Sequence, residues 1–76
     1  MQEREAKHLQ KSNELEKIVI QPSGDNKGWT LKLIAKDGDA HMLRSKRGKG
    51  PRVFKTSDAC LNCCAHIGAS FISVEL

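Results

Sequence analysis

Apolar and polar residues alternate most regularly between Gly28 and Lys36. Trp29, Leu31, Leu33 and Ala35 fall on one face there, and Thr30, Lys32, Ile34 and Lys36 on the other. A period of two belongs to a half-buried β-strand. Asp37-Gly38 follows at once, a dipeptide suited to the two positive φ angles of a type I′ turn, so His41 to Ser45 are predicted to return antiparallel. Upstream, the β-branched run Ile18-Val19-Ile20 predicts a short strand, closed by the turn formers Pro22-Ser23-Gly24-Asp25-Asn26. Downstream the period changes. Cys60, Cys63, Cys64 and Ile67 recur at i, i+3, i+4 and i+7, the stripe of an amphipathic helix, with Leu61 at its margin. Thr56-Ser57-Asp58 supplies N-cap residues ahead of that stripe and Gly68 a stop behind it. From Ala69 the alternation returns, placing Ile72, Val74 and Leu76 on one face of a last strand.

Two stretches carry no such pattern. Residues 1–16 mix acids (Glu3, Glu5, Glu14, Glu16) with bases (Arg4, Lys7, Lys11), and Leu9 and Leu15 do not form a stripe. They read as a flexible polar arm ahead of one folded domain spanning residues 17–76. Ser45 to Pro51, with Gly48, Gly50 and Pro51 among cations, has the composition of a loop. The expected fold is α+β, in β-β-β-α-β order: a small, largely antiparallel sheet of three to four strands with one helix packed on a face.

Charge changes the picture more than composition does. The chain has 76 residues, 38% of them hydrophobic, which suits one small globular domain. Its net charge is +4, yet the twelve residues from Arg44 to Lys55 carry +6 without one acid, leaving the remainder at −2. Arg44, Lys46, Arg47, Lys49, Arg52 and Lys55, on a hairpin end and a Gly/Pro-containing loop, suit contact with successive phosphates. Lys32 and Lys36, on the outward face of the central strand, would extend that patch. Nucleic acid is the favoured partner, DNA ahead of RNA. Solvated surface charge is the next reading, and an acidic protein or membrane surface the third. With only Trp29, Phe54 and Phe71 as aromatic residues, a base-stacking sheet of the single-strand-binding kind is poorly supplied. Trp29 itself is in phase with Leu31 and Leu33, which favours burial over recognition.

Candidate chemistry adds little. Gly48-Lys49-Gly50 lacks the wider glycine spacing and the Lys-Ser/Thr pair of a Walker loop. Cys60, Cys63, Cys64 and His66 are residue types that zinc accepts, but on one helix His66 points away from the cysteine face. Core packing is the preferred reading of the thiols, with zinc binding and thiol redox chemistry behind it. No nucleophile, base and orienting group fall at a recognisable spacing, so the chain is expected to be non-enzymatic, without cofactor or small-molecule substrate. Three clustered cysteines, odd in number, argue against a secreted disulfide framework, and no apolar run approaches a membrane span. A soluble cytoplasmic protein is expected, with homodimerisation open because the core is small.

Gly28-Trp29-Thr30-Leu31-Lys32-Leu33, the hairpin turn, Arg52-Val53-Phe54-Lys55-Thr56 and the Gly68-ended helix together resemble, in layout, small proteins carried on plasmids and other mobile elements. The resemblance names no single family and transfers no functional residue. It implies a bacterial accessory or regulatory protein acting on DNA. The alternative is a protein-interaction or assembly subunit with no nucleic-acid role, using an exposed sheet edge or the N-terminal arm.

Overall fold

The computed structural model describes residues 1–24, 27–45 and 50–75. Its elements run α1 (Glu3–Lys11), β1 (Leu15–Pro22), β2 (Trp29–Ala35), β3 (Ala40–Met42), α2 (Ser57–Ile67) and β4 (Ile72–Val74). The four strands form one sheet in the order β3-β2-β1-β4. β2 pairs antiparallel with both β1 and β3, whereas β4 pairs parallel to β1. The α+β class and the largely antiparallel sheet are therefore as expected. The parallel edge and the extra helix are additions.

The strand alternation sorts as the sequence requires. Leu31 and Leu33 of β2 are buried beside Ile20 and Ile18 of β1, their register partners. Leu15 joins the same core although it is out of phase with Ile18, because the β1–β2 register shifts between Leu15 and Lys17. One extra residue there resets the side-chain alternation, as a β-bulge does. The hairpin between β2 and β3 forms, but its loop differs from the expected type I′ turn. Gly38 has φ +97°, while Asp37 does not have the positive φ that a type I′ turn also requires. Gly38 N–H donates to Ala35 C=O at 3.0 Å and Ala35 N–H to Asp39 C=O at 2.8 Å, the bond pattern of a three-residue loop closed by a glycine bulge.

Helix α2 has the predicted ends. Thr56 Oγ1 accepts from Ala59 N–H at 3.1 Å, and Gly68 takes a left-handed φ of 86°. Gly68 N–H then reaches Ala65 C=O, and Ala69 N–H reaches Cys64 C=O, so the last carbonyls are satisfied. Cys60, Cys63, Cys64 and Ile67 all face the core, and Leu61 stays exposed.

The stretch read as a flexible arm is instead largely helical, and this is the main correction to the expected layout. Glu3 and Glu5 lie at the positive end of the α1 dipole and Lys11 at the negative end, and the Glu5 carboxylate accepts from Gln2 N–H at 3.2 Å. α1 ends as α2 does. Asn13 adopts φ 61°, its N–H donates to Gln10 C=O, and Glu14 N–H donates to Leu9 C=O. Ala6 is fully buried in the common core, with Leu9 packed against it. Cys63 Sγ on α2 donates to the Glu3 carboxylate at 3.4 Å. The inward face of α1 is thus a small residue, one leucine and a carboxylate, too weak a stripe to stand out in the sequence.

Candidate nucleic-acid interface

The chain leaves β3 into the basic segment and is pinned at both ends of it. At the near end Leu43 is fully buried, its N–H donating to Leu31 C=O at 2.9 Å. Arg44 and Pro51 form an antiparallel bridge, and Arg52 N–H donates to Leu43 C=O at 2.8 Å. The two limbs of the segment therefore meet at its base. At the far end Phe54 is buried, and it exchanges two backbone bonds of 2.8 Å with Trp29 of β2. Gly28 is required for that approach: a Cβ there would stand 2.6 Å from both the Phe54 carbonyl oxygen and Val53 Cγ1.

The apolar anchors alternate with exposed cations. Arg44, Arg52 and Lys55 are all exposed, and among the described residues none of them has a carboxylate partner. They do not share one face. Arg44 lies beside His41, Met42, Gly50 and Pro51. Arg52 lies on the helix side, against Ala59, Asn62 and Cys63 of α2, with its guanidinium 4.6 Å from the centre of the Phe54 ring. Stacking of this kind holds a planar cation in place while leaving its N–H fork available. Lys55 borders a shallow hollow with Pro22, Lys27, Gly28 and the half-buried Trp29. Lys27 is not marked by charge patterning in the sequence, because it follows the turn formers Pro22 to Asn26 and lies far from the Arg44–Lys55 run. Lys46, Arg47 and Lys49 lie outside the described residues.

The two strand lysines do not extend this group in the way expected. Lys32 is half-buried in register with Val19 and Met42, on the sheet face opposite the helices. Lys36 stands past the other end of β2, roughly 20 Å of strand from Trp29 at the ordinary rise per residue. There its ammonium donates to Asn13 Oδ1 at 2.9 Å.

The thiols belong to the core. Burial, reinforced by Cys64 and opposed by Arg52, pushes the Cys60 thiol up to about 11. Burial, with the Glu3 carboxylate next in weight, pushes Cys63 up to about 12, and burial also raises Cys64. All three are therefore thiols, not thiolates, near neutral pH, the form least suited to ligating zinc or attacking a disulfide. His66 is exposed and borders the same hollow as Glu3, Arg52 and Cys63. Among the described residues no group of three or more His, Cys, Asp or Glu side chains is placed to hold a metal ion. No described helix is long and apolar enough to cross a membrane.

Comparisons with protein-family models, with curated proteins and with solved structures found no match to this chain.

Proposed function

We propose that this is a non-enzymatic nucleic-acid-binding protein, with duplex DNA as its favoured partner, that engages phosphates through the Arg44–Lys55 segment. The observation that carries the reading is the pinning of an acid-free +6 segment to the sheet at Leu43 and Phe54, with its described cations exposed and without carboxylate partners. A loop held at both ends presents charge at lower entropic cost than a free tail. The fan of Arg44, Arg52 and Lys55 around the segment suits a curved, multiply charged backbone better than one small anion. Lys55, which borders the hollow beside the half-buried Trp29, adds a second point of contact. An accessory or regulatory role in the cytoplasm of a bacterium, on a mobile element, is the biological setting we infer from layout.

Fluorescence-anisotropy titrations with duplex DNA, single-stranded DNA and RNA at two or more salt concentrations test this directly. If five or six cations meet phosphates on duplex DNA, log K should fall with log salt at a slope of roughly −4.5 to −5.5. Replacing Arg44, Lys46, Arg47 and Lys49 together by Gln should remove the salt-sensitive binding. Arg52→Ala alone should flatten the slope by about one. The same thermal stability in the fourfold variant would show that charge and not folding was lost. Absence of retention by the parent at low salt, or unchanged binding in the fourfold variant, overturns the proposal.

A further inference from the structure

The two edges of the sheet are finished differently. The outer side of β3 is engaged at its Met42 end: Arg44 N–H donates to Met1 C=O at 2.7 Å, and the Met1 nitrogen donates to Met42 C=O at 3.2 Å. The outer side of β4 has no such cover among the described residues. Ile18 N–H donates to Phe71 C=O at 3.0 Å, and Glu75 N–H donates to Ile20 C=O at 2.8 Å. With Ile18 beside Ile72 and Ile20 beside Val74 in a parallel ladder, the peptide groups of Ile72 and Val74 point away from β1. Each copy therefore presents two N–H and two C=O groups along this edge. Phe71, Ile72 and Val74 remain 68%, 40% and 56% exposed around them. Neither Lys nor Pro, the usual protectors of such an edge, occurs in β4.

We propose that β4 is a self-association edge, which takes β4 of a second copy in antiparallel pairing about a two-fold axis at Ser73. That register sets Ile72 opposite Val74 of the second copy, and Val74 opposite its Ile72. Both pairs join residues whose peptide groups point outward, so all four edge groups of each copy gain partners, which an antiparallel ladder requires of its hydrogen-bonded pairs. Side-chain placement agrees. Ile72 and Val74 share the helix-covered face with Ile18 and Ile20, so four aliphatic side chains would meet there and continue the core across the join. On the other face Phe71 falls opposite Glu75 of the second copy. Lys17 flanks Phe71 one step before the Ile18–Ile72 pair, and Lys17 and Glu75 are both exposed. The row Lys17, Phe71, Glu75 of the second copy occurs twice by symmetry, with lysine and carboxylate two strands apart, about 10 Å, within the reach of two long side chains. The product is an eight-stranded sheet with all helices on one face.

Pairing through a three-residue strand covers a few hundred Å² per copy, under the roughly 800 Å² per partner of standard interfaces. Association is therefore reversible, in the micromolar to millimolar range. Sedimentation equilibrium of the full chain over a wide concentration range, without nucleic acid, measures it independently of the proposed function. A monomer–dimer equilibrium is expected. Val74→Pro deletes an outward N–H without removing a bond to β1 and should weaken dimerisation about tenfold or more, as should Ile72→Lys. Lys17→Glu and Glu75→Lys should each weaken it, and the two together should restore it, a readout that misfolding would not produce. A strict monomer at every concentration overturns the proposal, as does dimerisation unchanged in Val74→Pro, or a double charge swap no better than the single ones.

Discussion

At the scale of single residues, Gly28 carries an unusual share of the structure. The missing Cβ lets the Phe54 carbonyl reach Trp29 N–H, and that contact closes the far end of the basic segment on β2. Gly28→Ala should therefore cost roughly 1–3 kcal/mol, as overpacking does at tight sites, and chemical denaturation will measure it. Glycines with open space around them, such as Gly50, should not respond this way. The buried thiols make a second prediction at this scale. Each has its pKa raised in the folded state, so the stabilisation is fully present below the ordinary thiol pKa near 9 and is lost as pH rises through about 11 and 12, the values of Cys60 and Cys63. Melting temperature should decline between pH 9 and 12, less steeply in a Cys60→Ala/Cys63→Ala variant. A thiol reagent should label the native protein slowly and the unfolded chain at all three cysteines.

At the scale of elements, α1 is held by few but specific contacts: buried Ala6, half-buried Leu9 and the bond from Cys63 to Glu3. Ala6→Glu would bury an unpaired carboxylate and should undock the helix. Hydrogen exchange should then show lost protection for the α1 amides while β1 and β2 remain protected. The same sparse contacts explain why this helix was not legible in the sequence. An apolar stripe advertises a helix that packs through leucines, whereas α1 packs through an alanine methyl and a thiol–carboxylate bond. The elements whose local chemistry matches their packing were legible. β2 alternates strictly, and α2 has Thr56, a cysteine stripe and Gly68 in the right places. The bulge near Glu16 hid the first residues of β1 by breaking their alternation with Ile18. The parallel placement of β4 depends on pairing across more than fifty residues of chain, which no local pattern encodes. In the candidate site the charge cluster was visible as composition. Its division into Arg44, Arg52 and Lys55 on separate sides, the addition of Lys27, and the remoteness of Lys36 depend on the alternation of anchors and on strand length.

At the scale of the whole molecule, charge and packing are segregated. The helices and the core they share lie on one side of the sheet, Lys32 lies on the other, and the Arg44–Pro51 bridge at the base of the cationic segment follows β3, at the sheet edge opposite β4. The proposed polyanion contact and the proposed edge pairing would therefore use different parts of the surface. Cutting the segment's charge should leave sedimentation unchanged, and Val74→Pro should leave the salt slope of a single copy unchanged; both experiments use variants already described. A dimer built through β4 would carry its two cationic segments at opposite ends of an eight-stranded sheet, so a long duplex would bind more tightly than a short one only in the parent protein.

The fastening of the basic segment at Leu43 and Phe54 also makes it modular. Its ends meet through the Arg44–Pro51 bridge. Closing a longer loop across fixed ends costs only about 0.6 kcal/mol for each doubling of its length. Peptides of other composition could be spliced between Ser45 and Gly50 with the scaffold intact, turning this position into a graft site whose cargo is chosen separately from the fold that displays it.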